Sequence, residues 1–207
     1  METEEKHVVH INNDFFRWRG IYNHFFQRDI DNLIVPFSRL PQPETEYSQV
    51  IVAGIVPLPE IVNVIRNIFK TWSCLEKLNK ISSTRSVENG PYIVWHNGLS
   101  EQNLFAGCSA ETISNSGAVS VTLEECLLLL LRSHREKLPL IIDGGKKIMC
   151  VETRTCGKFG ESPVVYKKGD TITIDATHVS NFRDMNALPL IVNPVFFGKE
   201  DLDHVIW

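Results

Sequence analysis

The feature that most limits how this chain can fold is Thr122-Leu123-Glu124-Glu125 followed by the apolar run Cys126 to Leu131. Threonine with glutamate three residues on is a capping box, whose two side chains bond reciprocally to the free amides of a helix's first turn. The helix that it starts is expected to run to about Glu136. Consecutive apolar positions leave its middle without a polar face, so a buried helix near 122–136 is expected. At 207 residues the chain has room for one sizeable core. A soft prior of roughly 150 residues per domain argues against two.

Upstream, Asp14 to Asp29 reads as an amphipathic N-terminal helix capped by Asn13 or Asp14. Phe15, Trp18, Tyr22, Phe25 and Phe26 recur there at three- and four-residue steps. Gly20 inside it costs about 1 kcal/mol against alanine. Leu40-Pro41-Gln42-Pro43 is a break. Gln49 to Val56 is β-branched almost throughout, as in a strand buried on both faces. Pro57 ends it, and Pro59 suits the first turn of a helix with Ile61, Val64, Ile65 and Ile68 as its stripe. Trp72 to Leu78 is compatible with an extension of that helix. Ser82 to Gly90 reads as a polar loop, and Tyr92 to His96 as a strand closed by Asn97-Gly98. Leu104 to Ser120 shows no sustained period.

Beyond the buried helix the pattern turns to strands. Leu138 to Ile142 meets the turn signal Asp143-Gly144 and then Lys147 to Arg154. Val164 to Lys167 and Thr171 to Asp175 flank Lys168-Gly169-Asp170 as a hairpin, and Leu188 to Val192 is a last strand. Helices before and between strands, without βαβ alternation, give an α+β class with a mainly antiparallel sheet. One domain over 1–207 is expected, with 1–12 and 200–207 as peripheral tails.

Hydrophobic residues at 43% and charged residues at 22% are ordinary globular values. The net charge of −4, without a basic block, argues against a nucleic-acid binder. The acidic start Met1 to Lys6 is followed by no apolar signal segment. Cys126 to Leu131 falls far short of the ~20 residues that span a bilayer, so no membrane partner is expected. Five cysteines without CxxC spacing read as reduced thiols of a cytoplasmic protein.

Asp143-Gly144-Gly145-Lys146-Lys147 invites a phosphate-loop reading but fails the GxxxxGK[ST] pattern, so a hairpin turn is preferred and no cofactor is expected. Cys156, His178 and Asp175 are the residue types of a nucleophile, a base and an orienting carboxylate, and sit in or beside predicted hairpins. Separate core and turn roles are the alternative. Cys150, Cys156 and His178 lack the paired spacing of zinc ligands, so no metal is expected. Thr153, Arg154 and Lys158 combine cations, a hydroxyl and nearby glycines at a strand end, as in a small anion site. A solvated loop with Arg154 paired to Glu152 or Glu161 is the alternative. The aromatics of the first helix exceed one stripe, so Phe15, Trp18, Tyr22 and Phe26 are candidates for a protein-partner face, against a helix buried on two sides.

Val50 to Leu58, Gly90 to Val94, Ser120 to Glu125, Thr153-Arg154 and Ser162 to Val164 occur in that order. This series resembles a bacterial domain-of-unknown-function family. Its members carry a valine-rich strand leading to Val-Pro-Leu, a Pro-Tyr strand, a Thr-x-Glu-Glu helix start and a Ser-Arg step before a Pro-containing strand. The resemblance covers about residues 45 to 180. Thr171 to Asp175 departs from it, lacking the tryptophan-rich strands of the family. The resemblance implies no activity; it singles out Thr153 and Arg154 as matching polar positions. Without a paired catalytic motif, the expectation is a non-catalytic cytoplasmic binding or protein-interaction domain of bacterial or phage association. The alternative is a small cysteine-dependent hydrolase or transferase, or an anion-binding enzyme.

Overall fold

A computed structural model describes residues 2–33, 49–73, 81–96, 105–155, 160–181, 185–187 and 195–196. In chain order, helix α1 (Glu2–Phe26) is followed by strand β1 (Gln49–Ala53) and helix α2 (Leu58–Ile68). Next come β2 (Thr71–Ser73), β3 (Ile81–Ser83), β4 (Tyr92–His96), the short α3 (Ala110–Asn115) and the longer α4 (Leu123–Glu136). The remaining strands are β5 (Lys147–Met149), β6 (Thr153–Thr155), β7 (Glu161–Lys168), β8 (Thr171–His178), β9 (Met185–Asn186) and β10 (Val195–Phe196). The class is α+β.

Among the described residues the strands form three sheets, ordered β1-β4-β10, β2-β8-β7-β5-β9 and β3-β6. Pairing is antiparallel except for β2 with β8 and β5 with β9. Helix α4 is buried at every position from Leu123 to Ser133. Thr122 caps its start. Lys137, left-handed at φ 56°, closes its end, and Leu138 N–H bonds back to the Ser133 carbonyl.

Helix α1 seals one edge of the β1-β4-β10 sheet. Trp18 Nε1 donates to the Val50 carbonyl and Tyr22 OH to the Val52 carbonyl, both at 2.7 Å. The spacing makes this possible. Four helical residues rise about 6 Å, close to the roughly 6.8 Å between outward carbonyls two residues apart on a strand. From the other side, Arg132 of α4 donates to the same Val50 carbonyl at 3.1 Å and to Asp14 of α1 at 2.7 Å. The Val50 and Val52 carbonyls of the β1 edge are therefore paired rather than open to another chain.

This packing corrects the partner-face expectation. Phe15, Trp18 and Tyr22 are fully buried and Phe26 nearly so, because α1 is covered by β1 and α4 together. Helix α1 also begins at Glu2, so Asn13 and Asp14 lie inside it rather than capping it. Gly20 lies under the Arg135 guanidinium, where a β-carbon would come within 2.6 Å of Nη2.

Other expected elements shift. Leu138 to Ile142 forms no strand, so Asp143-Gly144 is a 3-10 turn leading into β5 rather than a hairpin turn. Its carboxylate accepts from Leu140 N–H and Lys167 Nζ. Lys147 to Arg154 divides at a turn into β5 and β6. Thr71 to Ser73 is strand rather than helix, Ser82–Ser83 belongs to β3, and α3 arises where no period was visible. Leu188 to Val192 lies outside the described residues. No helix of the described residues is long and apolar enough to cross a membrane.

The edge seal predicts the behaviour of one variant. Tyr22→Phe leaves the buried Val52 carbonyl without this donor, which costs about 1–3 kcal/mol of stability in urea unfolding. A change below about 0.5 kcal/mol would show that the bond contributes nothing net.

Candidate functional site

The first turn of α4 fixes the site. Thr122 and Glu125 make the expected box: Thr122 N–H donates to Glu125 Oε2 at 2.8 Å, and Glu125 N–H to Thr122 Oγ1 at 3.2 Å. Leu123 N–H donates to Thr153 Oγ1 of β6 at 2.9 Å, supplying another amide that the helix itself leaves unpaired. Glu125 is fully buried and receives Arg85 in two-point fashion, Nε to Oε1 at 2.8 Å and Nη2 to Oε2 at 2.9 Å. Arg85 Nη2 also donates to the Ser120 carbonyl at 2.7 Å. Burying both charges is costly, and the pair is tolerable because nearly every donor and acceptor in it is satisfied.

Glu124 is held differently. Gly54 N–H donates to its Oε1 at 2.8 Å. Its Oε2 has no hydrogen-bond partner among the described residues. Gly54 adopts φ +73°, and a β-carbon there would come within 2.2 Å of the Gly90 carbonyl, so only glycine brings this amide to the carboxyl. Glu124 is 6% exposed. Burial, and secondarily the neighbouring Glu125, raise its pKa from 4.5 to about 7, against the opposing pull of the Gly54 amide and Arg85. That change corresponds to about 3 kcal/mol in favour of the protonated form. Burial prevails because Arg85, the nearest cation, is already committed to Glu125. The same burial raises the pKa of Tyr92 and of Tyr22.

Glu124 opens onto a cleft of about 870 Å³. Pro57, Leu58 and Val62 of the β1–α2 region form one wall. Strand β3 and the Arg85–Glu88 segment form the other, and Leu123, Glu124 and Thr153 lie between them. Asn63 and Arg66 of α2 also line it. Ser83 Oγ lies 3.3 Å from Thr153 Oγ1, which ties β3 to β6 at this point. His96, a further strongly shifted group, does not line the cleft. Burial and then Arg132 lower its pKa to about 3, so it is neutral.

Of the residues singled out in the sequence, Thr153 reaches the cleft. Arg154 does not: adjacent strand residues face opposite sides, and its guanidinium donates to Ser162 Oγ at 2.8 Å and to the Val151 carbonyl. It braces the β6–β7 junction. Cys156 and Lys158 lie outside the described residues. Asp175 and His178 stand three residues apart on β8, in unbroken register with β7, and so point to opposite faces of the sheet. Asp175 accepts from Ala176 N–H, while exposed His178 places Nδ1 2.7 Å from Ser180 Oγ. The carboxylate does not orient the imidazole. Among the described residues no three His, Cys, Asp or Glu side chains are grouped to hold a metal. Neither Glu124 nor Arg85 stands out as a site residue in the sequence. The one signal for them is a second glutamate inside the cap of a helix too apolar to be exposed.

Compared with protein-family models, curated proteins and solved structures, the chain matches none.

Two outcomes follow from the charge arrangement. Arg85→Ala leaves Glu125 buried without its cation and destabilises the protein by about 3–5 kcal/mol in denaturant unfolding. A loss below about 1 kcal/mol would mean that solvent reaches Glu125. For Glu124, a raised folded pKa contributes stability fully present below about pH 4.5 and lost as the pH rises through about 7. Glu124→Gln lacks this term, so its stability relative to wild type increases across that window. Parallel stability curves would contradict the assignment.

Proposed function

We propose that the chain is a cytoplasmic binding domain whose cleft receives a small polar molecule at Glu124. The observation that carries this reading is a buried, cleft-lining carboxyl with one oxygen fixed by Gly54 and the other without a hydrogen-bond partner among the described residues. A volume of about 870 Å³ lies in the range of small-molecule sites. Its lining mixes apolar side chains such as Leu58, Val62 and Leu123 with polar ones such as Asn63, Ser83 and Glu124, and such sites combine apolar surface with placed polar groups. Among the described residues, the free thiols Cys108, Cys126 and Cys150 agree with a reducing compartment.

Membership of the bacterial family noted above is part of the proposal. Pro57, Leu58, Leu123, Glu124 and Thr153, which lie within the matching segments, converge on this one cleft although they are far apart in the chain. A protein-interaction role through α1 has lost its support, since the aromatics that suggested it are in the core.

One observation favours a second reading. A carboxyl with a pKa near 7 suits a general acid or base, so an enzyme acting through Glu124 is the alternative to pure binding. It replaces the cysteine-dependent reading, for which Asp175 and His178 offer no joined pair.

Fragment screening by amide NMR tests the binding reading. Small polar fragments are expected to shift resonances of α2, β3 and the start of α4 together. Asn63→Trp, at an exposed cleft-lining position, is expected to abolish those shifts. Hits that cluster elsewhere, or that survive Asn63→Trp unchanged, would overturn it.

A further inference from the structure

Whatever occupies the cleft must complete Glu124. The charged and titratable groups around this carboxyl are Glu125, Arg85, Tyr22 and Tyr92, with Arg66 and Glu88 also lining the cleft. Arg85 is the cation nearest in effect, and its Nε and Nη2 are bound to Glu125 and the Ser120 carbonyl. The two tyrosines are buried beyond ready ionisation and supply no positive charge. Arg66 is exposed on α2 and pairs with no carboxylate among the described residues. The ionised form of Glu124 thus has one amide donor and no counter-charge of its own.

A neutral ligand donor satisfies one lone pair of Oε2 but leaves the negative charge uncompensated. A cation satisfies both requirements, and charge-assisted bonds are roughly twice as strong as neutral ones. The cleft lining includes Leu58, Val62 and Leu123, which suits an alkyl body rather than a hydrated inorganic ion. Ser83 and Thr153 hydroxyls are engaged with each other and with Leu123 N–H. They are not a ready ring of oxygen ligands for a metal.

We infer that the cleft recognises an organic cation, a primary ammonium head on a short apolar body, with the head seated on Glu124 Oε2. This rests on the cleft being a binding site at all. Binding selects the ionised carboxylate, so ammonium binding is coupled to release of the Glu124 proton. Affinity therefore rises with pH through the titration of Glu124 and levels off above it.

The test compares n-butylamine with n-butanol on the full chain, following amide shifts of cleft residues near pH 8 and near pH 5. Butylamine is charged at both values, so any change in its affinity reports the protein. The expected result is butylamine binding at least roughly tenfold tighter at the higher pH, with butanol weak and indifferent to pH. Glu124→Gln is expected to remove the preference for the amine; the wild-type pH dependence tests the same point without a variant. If both compounds bind in the cleft equally and independently of pH, the ammonium inference fails while the binding reading stands. If fragments from the wider screen bind there but butylamine does not, the inference fails in the same way. If no compound perturbs cleft residues, both fail.

Discussion

The opening turn of α4 ties the molecule together. Within four residues, Thr122 to Glu125, it reaches β6 through Thr153, the end of β1 through Gly54, and the segment after β3 through Arg85. The helix behind this turn is buried along nearly its whole length, so its position is set by hydrophobic packing. The polar turn then ties three other segments to it. The neutral bonds are modest alone, about 1 kcal/mol net, and those to charged groups about 1.5–3 kcal/mol. Together they place two glutamates side by side where water barely reaches.

Those two glutamates show how the environment divides identical chemistry. The Glu125 carboxylate has a guanidinium in two-point contact and one cap bond from Thr122 N–H, and is compensated. Glu124, one residue earlier, has a single neutral amide, and burial drives it toward the protonated form. A structural role alone calls for both carboxyls to be satisfied. That asymmetry is the ground for the proposal that the cleft side of the turn receives a ligand.

Much of the fold was legible because local signals agreed with the global arrangement. The capping box, the Tyr92–His96 strand and the β7–β8 hairpin each follow from patterns a few residues long. The misreadings came from non-local partners. Trp18 and Tyr22 look surplus to one helical stripe until the open carbonyls of β1 are set beside them. Leu138 to Ile142 has strand composition but leads out of a closed helix end into a 3-10 turn. Asp175 and His178 are near in sequence and separated by the pleat. The site was harder to read for the same reason. Thr153 was visible as a polar residue at a strand end, but its task is to receive the Leu123 amide. Glu124 reads as an ordinary acidic residue in a helix's first turn, where carboxylates are common. Its surroundings come from Gly54 and from cleft-lining residues of α2 and β3, which sequence order keeps apart. No short motif encodes that convergence.

The most direct test is the titration of the Glu124 side-chain carboxyl by carbon-13 NMR in the free protein. A midpoint near 7, removed by Glu124→Gln, is the expected result. A midpoint near the ordinary 4.5 would mean that water or a protein donor already satisfies the second oxygen, and the cleft would lose its distinguishing group.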